Sequence, residues 1–120
     1  MKSLSAAYVL MKAIDHVREY HDRMEAQTLR ILIEVARSPG IAVYDLAEKT
    51  GCSGASTSRN VTKLGPGGPR GEGLGLIYRY EDPMDRRNKR VQLTDKGQRL
   101  FAELAEIMTE AIDQEKSEDS

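Results

Sequence analysis

The sequence predicts a mainly α-helical fold with one small β-hairpin, and three observations support this fold class. Apolar residues recur every three or four positions near both ends of the chain, which is the spacing of amphipathic helices. Two short helical stretches between residues 46 and 64 are separated by a glycine turn. Two β-prone stretches, 76–80 and 89–93, then flank a short charged segment.

Length and composition indicate one domain with an aliphatic core. The chain has 120 residues, no Trp, one Phe and a single cysteine, Cys52, so no intrachain disulfide can form. No apolar run reaches the ~18 residues that span a membrane, and the first 15 residues are too amphipathic for a secretory signal. We therefore expect a protein of the reducing cytoplasm, with no membrane partner.

The net charge of −1 hides a strong asymmetry along the chain. Residues 1–53 are neutral overall, residues 54–99 carry +5, and residues 100–120 carry −6. A basic middle followed by an acidic end predicts one surface that faces phosphates and another that is held away from them.

The first predicted helix spans residues 5–23. Its apolar positions alternate in steps of three and four, as in a heptad seam: Ala7, Leu10, Ile14, Val17, His21 and Met24. A domain this small offers this helix little to cover, so the seam predicts a partner helix. A second helix over residues 25–37 turns Leu29, Leu32, Ile33 and Ala36 inward and ends at Ser38-Pro39-Gly40. Residues 41–43 then lead into the next helix.

Residues 46–64 predict a helix-turn-helix. Leu46 and Ala47 face inward, Gly51 supplies the turn and Ser53 caps the second helix. At about 100° per residue the inward positions of that helix are Thr57, Val61 and Leu64. Gly54 lies near this inner face, where it would let the two helices approach closely.

The opposite face of the second helix is small, hydroxylated and basic. Ala55, Ser56, Arg59, Thr62 and Lys63 point outward on this face. Small side chains let a helix enter a major groove, while hydroxyl and basic groups reach base edges and phosphates. The predicted DNA contacts are Ser53, Ala55, Ser56, Ser58, Arg59, Thr62 and Lys63. The alternatives for this face are a solvated helix and a protein-interaction module.

Residues 65–75 are mostly Gly and Pro and predict a flexible loop. The segment lacks the Gly-Lys-Ser/Thr ending and the following helix of a nucleotide-binding loop, although Arg70 could meet a DNA phosphate. The two strands that follow, joined by the charged turn 81–88, predict a wing. Thr94 caps a final helix over residues 95–116 with a broad apolar stripe, and residues 117–120 form a disordered tail.

This chain resembles the multiple-antibiotic-resistance regulator (MarR) family of bacterial winged-helix proteins. The matching stretches are LAEKTG with STSRNVTKL, then GLIYR, then DPMDRRNKRVQLTDKG, and the resemblance covers roughly residues 6–115. The Gly/Pro loop is longer than that of the family, and Thr57 and Asn60 stand where aliphatic residues are usual. The family often binds small aromatic ligands, which implies a possible small-molecule effector here, but no ligand motif is present.

The resemblance implies a homodimer on double-stranded DNA. Residues 5–23 and 95–116 would be the dimerisation helices, and residues 25–93 the DNA-binding lobe. The implied interface residues are Leu10, Ile14, Val17, Leu104, Ile107, Met108, Ala111 and Ile112. In the wing, the resemblance implies that Asp85 orients the tip and Arg87 enters a minor groove, while Arg86, Lys89 and Arg90 meet phosphates.

Other functions are less well supported by the residues. Cys52 could be a redox sensor, although a small apolar residue belongs in its turn anyway. His16 and His21 are about 140° apart on one helix and do not share a metal-ligand geometry. No catalytic arrangement is evident and no cofactor is expected. The sequence thus predicts a dimeric repressor on a palindromic operator; the alternative is a winged-helix adaptor that acts through protein contacts.

Overall fold

The computed structural model describes residues 2–69 and 71–118. Its helices are α1 Ser3–Tyr20, α2 Ala26–Arg37, α3 Val43–Thr50, α4 Gly54–Leu64 and α5 Asp95–Glu118. Its strands are β1 Ile41–Ala42, β2 Gly67–Gly68, β3 Gly71–Glu72, β4 Ile77–Asp82 and β5 Asp85–Leu93. Two compact units form: one spans Glu25–Gln98, and the other combines α1 with α5 from Arg99 onward.

The Glu25–Gln98 unit holds the helix-turn-helix around an aliphatic core. The fully buried side chains come from every helix of the unit and from both long strands: Ile31, Leu32, Val35, Leu46, Leu64, Leu76, Ile77 and Val91. Thr57 and Val61 are buried with them, as the helical spacing predicts. The inward face of α4 is therefore confirmed.

Local turn chemistry fixes the helix ends as expected. Gly51 adopts a left-handed φ of +70° at the end of α3, and the Ser53 hydroxyl accepts a hydrogen bond of 3.1 Å from the backbone N–H of Ser56. The Thr94 hydroxyl caps α5 by accepting from the N–H of Gly97 at 3.1 Å. The role expected for Gly54 is wrong: this first residue of α4 is exposed, and a Cβ there would meet no atom within 4 Å.

The wing belongs to a three-stranded antiparallel sheet in the order β1-β5-β4. Ile41 pairs with Val91 and Ile77 pairs with Leu93. Strand β1 has only two residues, too short to give a periodic signal in the sequence. The charged segment 81–88, predicted as a turn, is mostly strand, because β4 and β5 continue through it to a tight turn at Pro83 and Met84.

The expectation of a loop throughout residues 65–75 is wrong, because Gly67–Gly68 and Gly71–Glu72 form two short paired strands. Strands β2 and β3 pair antiparallel, and backbone N–H groups of Leu74, Gly75 and Leu76 donate to the carbonyls of Lys63, Gly65 and Leu64 at 2.8–2.9 Å. Glycine permits the packing, since a Cβ on Gly67 would clash with the backbone nitrogen of Gly73. The phosphate contact expected of Arg70 lies outside the described residues.

In the second unit, α1 and α5 pack antiparallel. The hydroxyl of Ser5 donates to Glu115 at 3.1 Å, that of Tyr8 donates to Gln114 at 2.9 Å, and His16 Nε2 lies 3.2 Å from Glu103. The disordered tail predicted for residues 117–120 is wrong for its first two residues, because α5 includes residues 117 and 118. Residues 119 and 120 lie outside the described part of the chain. Within the described ranges no helix is long and apolar enough to cross a membrane.

Three residues expected at the dimer interface are buried inside the protomer instead. Val17, Leu104 and Ala111 are at most 8% exposed, because α1 and α5 cover each other with these side chains. Ile107 and Ile112 are half-buried. The larger apolar side chains that stay exposed in this unit are Leu4, Leu10, Met11, Ile14 and Met108.

Replacing Thr57 with Val should stabilise the protein by about 1 kcal/mol. The Thr57 side chain is fully buried, and its hydroxyl has no hydrogen-bond partner among residues 2–69 and 71–118, so its desolvation is not offset. Denaturant unfolding followed by circular dichroism measures the change. The control is Thr28→Val: Thr28 is equally buried, but its hydroxyl donates to Asn60 Oδ1 at 2.6 Å, so this variant should lose stability. Equal losses in both variants would contradict the prediction.

Candidate nucleic-acid interface

The outer face of α4 presents basic and hydroxyl side chains to solvent. Ser53, Ala55, Ser58 and Arg59 are exposed, while Thr62 and Lys63 are half-buried. Neither Arg59 nor Lys63 forms an ion pair with a residue of the described ranges. Their charges are therefore available to an external anion.

Ser56 does not belong to this outer face, and its predicted outward orientation is wrong. Ser56 is 8% exposed; its hydroxyl donates to Gln27 Oε1 at 3.0 Å and its carbonyl accepts from Asn60 Nδ2 at 2.9 Å. The Thr28–Asn60 bond lies on the same side, so α2 and α4 meet through polar groups. Asn60 takes part in this contact from both ends of its amide, accepting from Thr28 and donating to the carbonyl of Ser56.

Cys52 lies next to the same polar contact. Its thiol is half-buried, and its sulfur lies 3.2 Å from Gln27 Nε2, the donor of a hydrogen bond. The cysteine thus helps hold the start of α4 against α2. A redox role for Cys52 stays a prediction.

The wing tip exposes two arginines beside Asp85. The Asp85 carboxylate accepts a hydrogen bond of 3.1 Å from the N–H of Arg87 and lies 3.5 Å from its Nε. The Arg87 side chain is nevertheless 94% exposed, and Arg86 is exposed beside it. An acidic residue that fixes the backbone and two arginines that extend into solvent form a tip suited to entering a groove.

The other two basic wing residues predicted to contact DNA, Lys89 and Arg90, are engaged within the protein. Lys89 pairs with Glu81 at 2.8 Å, across β4 and β5. Arg90 donates from Nε to Asp82 at 2.9 Å and from Nη1 to the carbonyl of Gly40 at 2.8 Å. Arg90 thus fastens the base of the wing, and the phosphate contact expected of it stays a prediction.

Asp82 is the wing residue that sequence reasoning missed. Its carboxylate accepts from the N–H of Met84 and from Arg90, each at 2.9 Å, so it organises both the turn and the strand opposite. The hydrogen bond from Met84, followed by that from Arg90, lowers the pKa of Asp82 from its ordinary 3.8. The Asp-Pro pair that precedes the turn was the available signal, because Asp commonly accepts a backbone hydrogen bond two residues on.

Replacing Asp82 with Asn should reduce stability at neutral pH but have less effect in acid. A carboxyl whose pKa is lowered in the folded state adds stability above its ordinary pKa. That stability is lost as the pH falls below 3.8 and through the lower folded value. Unfolding curves at pH 7 and at a series of pH values below 4 measure the difference between the two proteins. A difference that is constant with pH would contradict the assignment.

His16 has a role within its own unit. Its Nδ1 lies 3.1 Å from Glu19 and its Nε2 3.2 Å from Glu103, which also accepts from the hydroxyl of Tyr20. The bond from Tyr20 lowers the pKa of Glu103, and the same bond raises that of Tyr20. Among residues 2–69 and 71–118, no three His, Cys, Asp or Glu side chains could hold a metal ion.

The chain is similar to one protein family in sequence and to several solved structures in fold. The model of the MarR family matches residues 24–89, just over half of the chain. The transcriptional regulator Tm0710 from Thermotoga maritima is 19% identical, with 93% of this chain and 72% of that chain covered and a TM-score of 0.77. MepR from S. aureus, in a structure with DNA, is 22% identical, with 95% and 86% covered and a TM-score of 0.72.

A third solved structure matches this chain over a smaller part of both chains. PcaV from Streptomyces coelicolor, solved with its natural ligand, is 24% identical over 72% of this chain, with a TM-score of 0.56. This chain spans only 57% of the PcaV chain. A comparison with curated proteins returned no match. These likenesses confirm the predicted winged-helix fold.

Proposed function

Because this chain belongs to the MarR family of transcriptional regulators, we propose that it binds a palindromic operator in double-stranded DNA as a homodimer and acts as a repressor. Repression needs only occupancy of the promoter, whereas activation needs a further surface for polymerase. The proposal does not depend on a cofactor.

One observation carries this function: α4 presents Arg59 and Lys63, and neither forms an ion pair with any residue that the structure describes. A helix whose outer face combines small residues with free cations suits a major groove, where backbone phosphates fix the register and base edges supply specificity. Ser58 and Thr62 add hydroxyl groups to this face. In our proposal α4 is the recognition helix.

The exposed tip of the wing supports a second contact. A narrow minor groove has an enhanced negative potential that favours an inserted arginine. The Arg87 side chain is 94% exposed although its Nε lies 3.5 Å from the Asp85 carboxylate, which also accepts a hydrogen bond from the backbone N–H of Arg87. We assign Arg87 to the minor groove and Arg86 to flanking phosphate.

The homodimer is supported by the apolar stripe left uncovered on α1. Leu4, Leu10, Met11 and Ile14 are between 43% and 85% exposed on one helix. A monomer gains nothing from exposing so much aliphatic surface, and a second copy can bury it. Ile107, Met108 and Ile112 of α5 complete the proposed interface.

Selection of bound fragments from random duplex DNA tests the function. We expect an enriched palindrome whose half-sites are about one helical turn apart. The affinity for this sequence should fall steeply with salt, because bound cations release counterions from the phosphates. Enrichment of no sequence, together with an affinity independent of salt, would favour the protein-interaction adaptor instead.

We extend the proposal to a small-molecule effector that releases the protein from DNA. Its support is the likeness to PcaV, whose structure was solved with a natural ligand. Release of the selected duplex in the presence of small aromatic acids would identify such an effector.

A further inference from the structure

A groove runs between α4 and the glycine hairpin formed by β2 and β3. It has a volume of about 740 Å³. One wall is the outer face of the helix, with Ser58, Arg59, Thr62 and Lys63. The other wall is formed by the described residues of the hairpin, which are Gly67, Gly68, Pro69, Gly71 and Glu72. The groove therefore adjoins the face of α4 already assigned to DNA.

The hairpin wall is held in place against the helix. The hydrogen bonds from residues 74–76 to residues 63–65 tie its base to the end of α4. A Cβ on Gly68 would lie 3.3 Å from Thr62 Cγ2, so the absence of a side chain lets the strand approach this closely. The spacing between the two walls is thus set by packing and not by a free loop.

The groove has the chemistry of a site for a polyanionic strand. Arg59 and Lys63 bring two cations without intramolecular ion pairs among the described residues, and Ser58 and Thr62 bring two hydroxyls. The opposite wall is glycine-rich backbone, which a phosphate can approach closely. Glu72, at the end of the hairpin, is the one acidic side chain among the described residues that line the groove.

We propose that this groove seats one sugar-phosphate strand of the DNA duplex, so that the glycine hairpin is a third DNA-contacting element beside the recognition helix and the wing. The inference rests on the proposed function, because it places the strand against the same face of α4. Arg59 and Lys63 bind the phosphates from one side, and the hairpin confines the strand from the other.

The first test changes only the charge of the hairpin wall. Pro69 is exposed, lines the groove and makes no side-chain hydrogen bond, so Pro69→Glu and Pro69→Gln alter the turn equally and differ in one negative charge. We expect the Glu variant to bind the selected duplex about threefold more weakly than the Gln variant, as for an exposed charge pair. Fluorescence anisotropy on a labelled duplex of about 30 base pairs, which holds two half-sites, measures both.

The second test works in the opposite direction. Glu72→Gln should tighten binding, and Glu72→Lys should tighten it further and steepen the dependence of log affinity on log salt by about one unit per subunit. Ethylation interference on the same duplex should identify phosphates near the hairpin. Ethylation of these phosphates should weaken DNA binding by the wild-type protein more than DNA binding by the Pro69→Glu variant. Thermal unfolding of each variant separates loss of binding from loss of fold.

The outcomes distinguish this inference from the proposed function. If the wild-type protein binds the selected duplex with a steep salt dependence but the charges at positions 69 and 72 have no effect, the hairpin role is overturned and the regulator stands. If the wild-type protein binds no duplex at all, the proposed function itself fails. Weaker binding by Pro69→Glu together with tighter binding by Glu72→Lys supports the hairpin contact.

Discussion

Replacing Ile14 with Asp should convert the proposed homodimer to a monomer and weaken binding to the proposed operator by about 10²- to 10⁴-fold. Ile14 lies in the exposed apolar stripe of α1 and is 43% exposed in the protomer. A carboxylate at this position would have to be buried without a partner when two copies associate, and the cost would oppose dimerisation. Light scattering measures the mass, and anisotropy with the selected duplex measures the affinity.

The size of this effect follows from linking two weak contacts. A monomer engages one half-site, whereas a dimer that has bound one half-site presents its second recognition helix at a high effective concentration. Dissociating the dimer removes this gain without altering any residue of α4. The monomeric variant should therefore keep the fold and a weak, salt-dependent affinity for single half-sites.

A matched control places the same carboxylate elsewhere on α1. Lys12 is exposed and lies about 200° around the helix from Ile14, on the far side from the stripe. Lys12→Asp should remain dimeric. A dimer that persists in Ile14→Asp with unchanged affinity for the operator would refute the assignment of the α1 stripe to the interface.

Replacing Arg59 or Arg87 with Ala should weaken operator binding by about 1–3 kcal/mol each. Both side chains are exposed. Each substitution should therefore remove contacts to DNA without removing a buried contact within the protein. Arg59→Ala should weaken binding to the half-site centres, in the major groove. Arg87→Ala should weaken binding most for operators with A·T-rich flanks, whose minor grooves are narrow.

Affinities for duplexes that differ only in their flanking sequence measure this distinction. Arg37→Ala is a suitable control, because it removes the same charge from the exposed end of α2, outside the proposed contacts. Full affinity in Arg59→Ala would remove α4 from the DNA interface. If Arg87→Ala lowers the affinity equally for all flanking sequences, the wing contacts phosphates and does not read the minor groove.

The elements set by local chemistry were predictable from the sequence. Gly51 and Ser53 define the turn and the cap of the helix-turn-helix, and Thr94 defines the start of α5. The inward face of α4 followed from helical spacing alone, because Thr57, Val61 and Leu64 repeat at intervals of three and four. Each of these signals lies within a few residues along the chain, so no knowledge of the rest of the fold was needed.

The long-range contacts were decided only by the tertiary structure. Ser56 faces α2 because Gln27 lies opposite, and Arg90 is held by Asp82 and the carbonyl of Gly40, fifty residues away along the chain. In the glycine segment, Gly68 lies against Thr62 and the backbone of residues 74–76 bonds to the end of α4, and these contacts accompany the pairing of β2 with β3.

The same limit applies to the terminal helices. The sequence determined that α1 and α5 each have an apolar face, but not which part of that face is used within one protomer. Val17, Leu104 and Ala111 are buried where the two helices meet, while Leu10 and Ile14 stay exposed. Periodicity establishes that an apolar side exists. Which apolar residues of one helix stay exposed for a partner depends on where the neighbouring helix lies. That position is set by contacts between residues about a hundred positions apart in the chain.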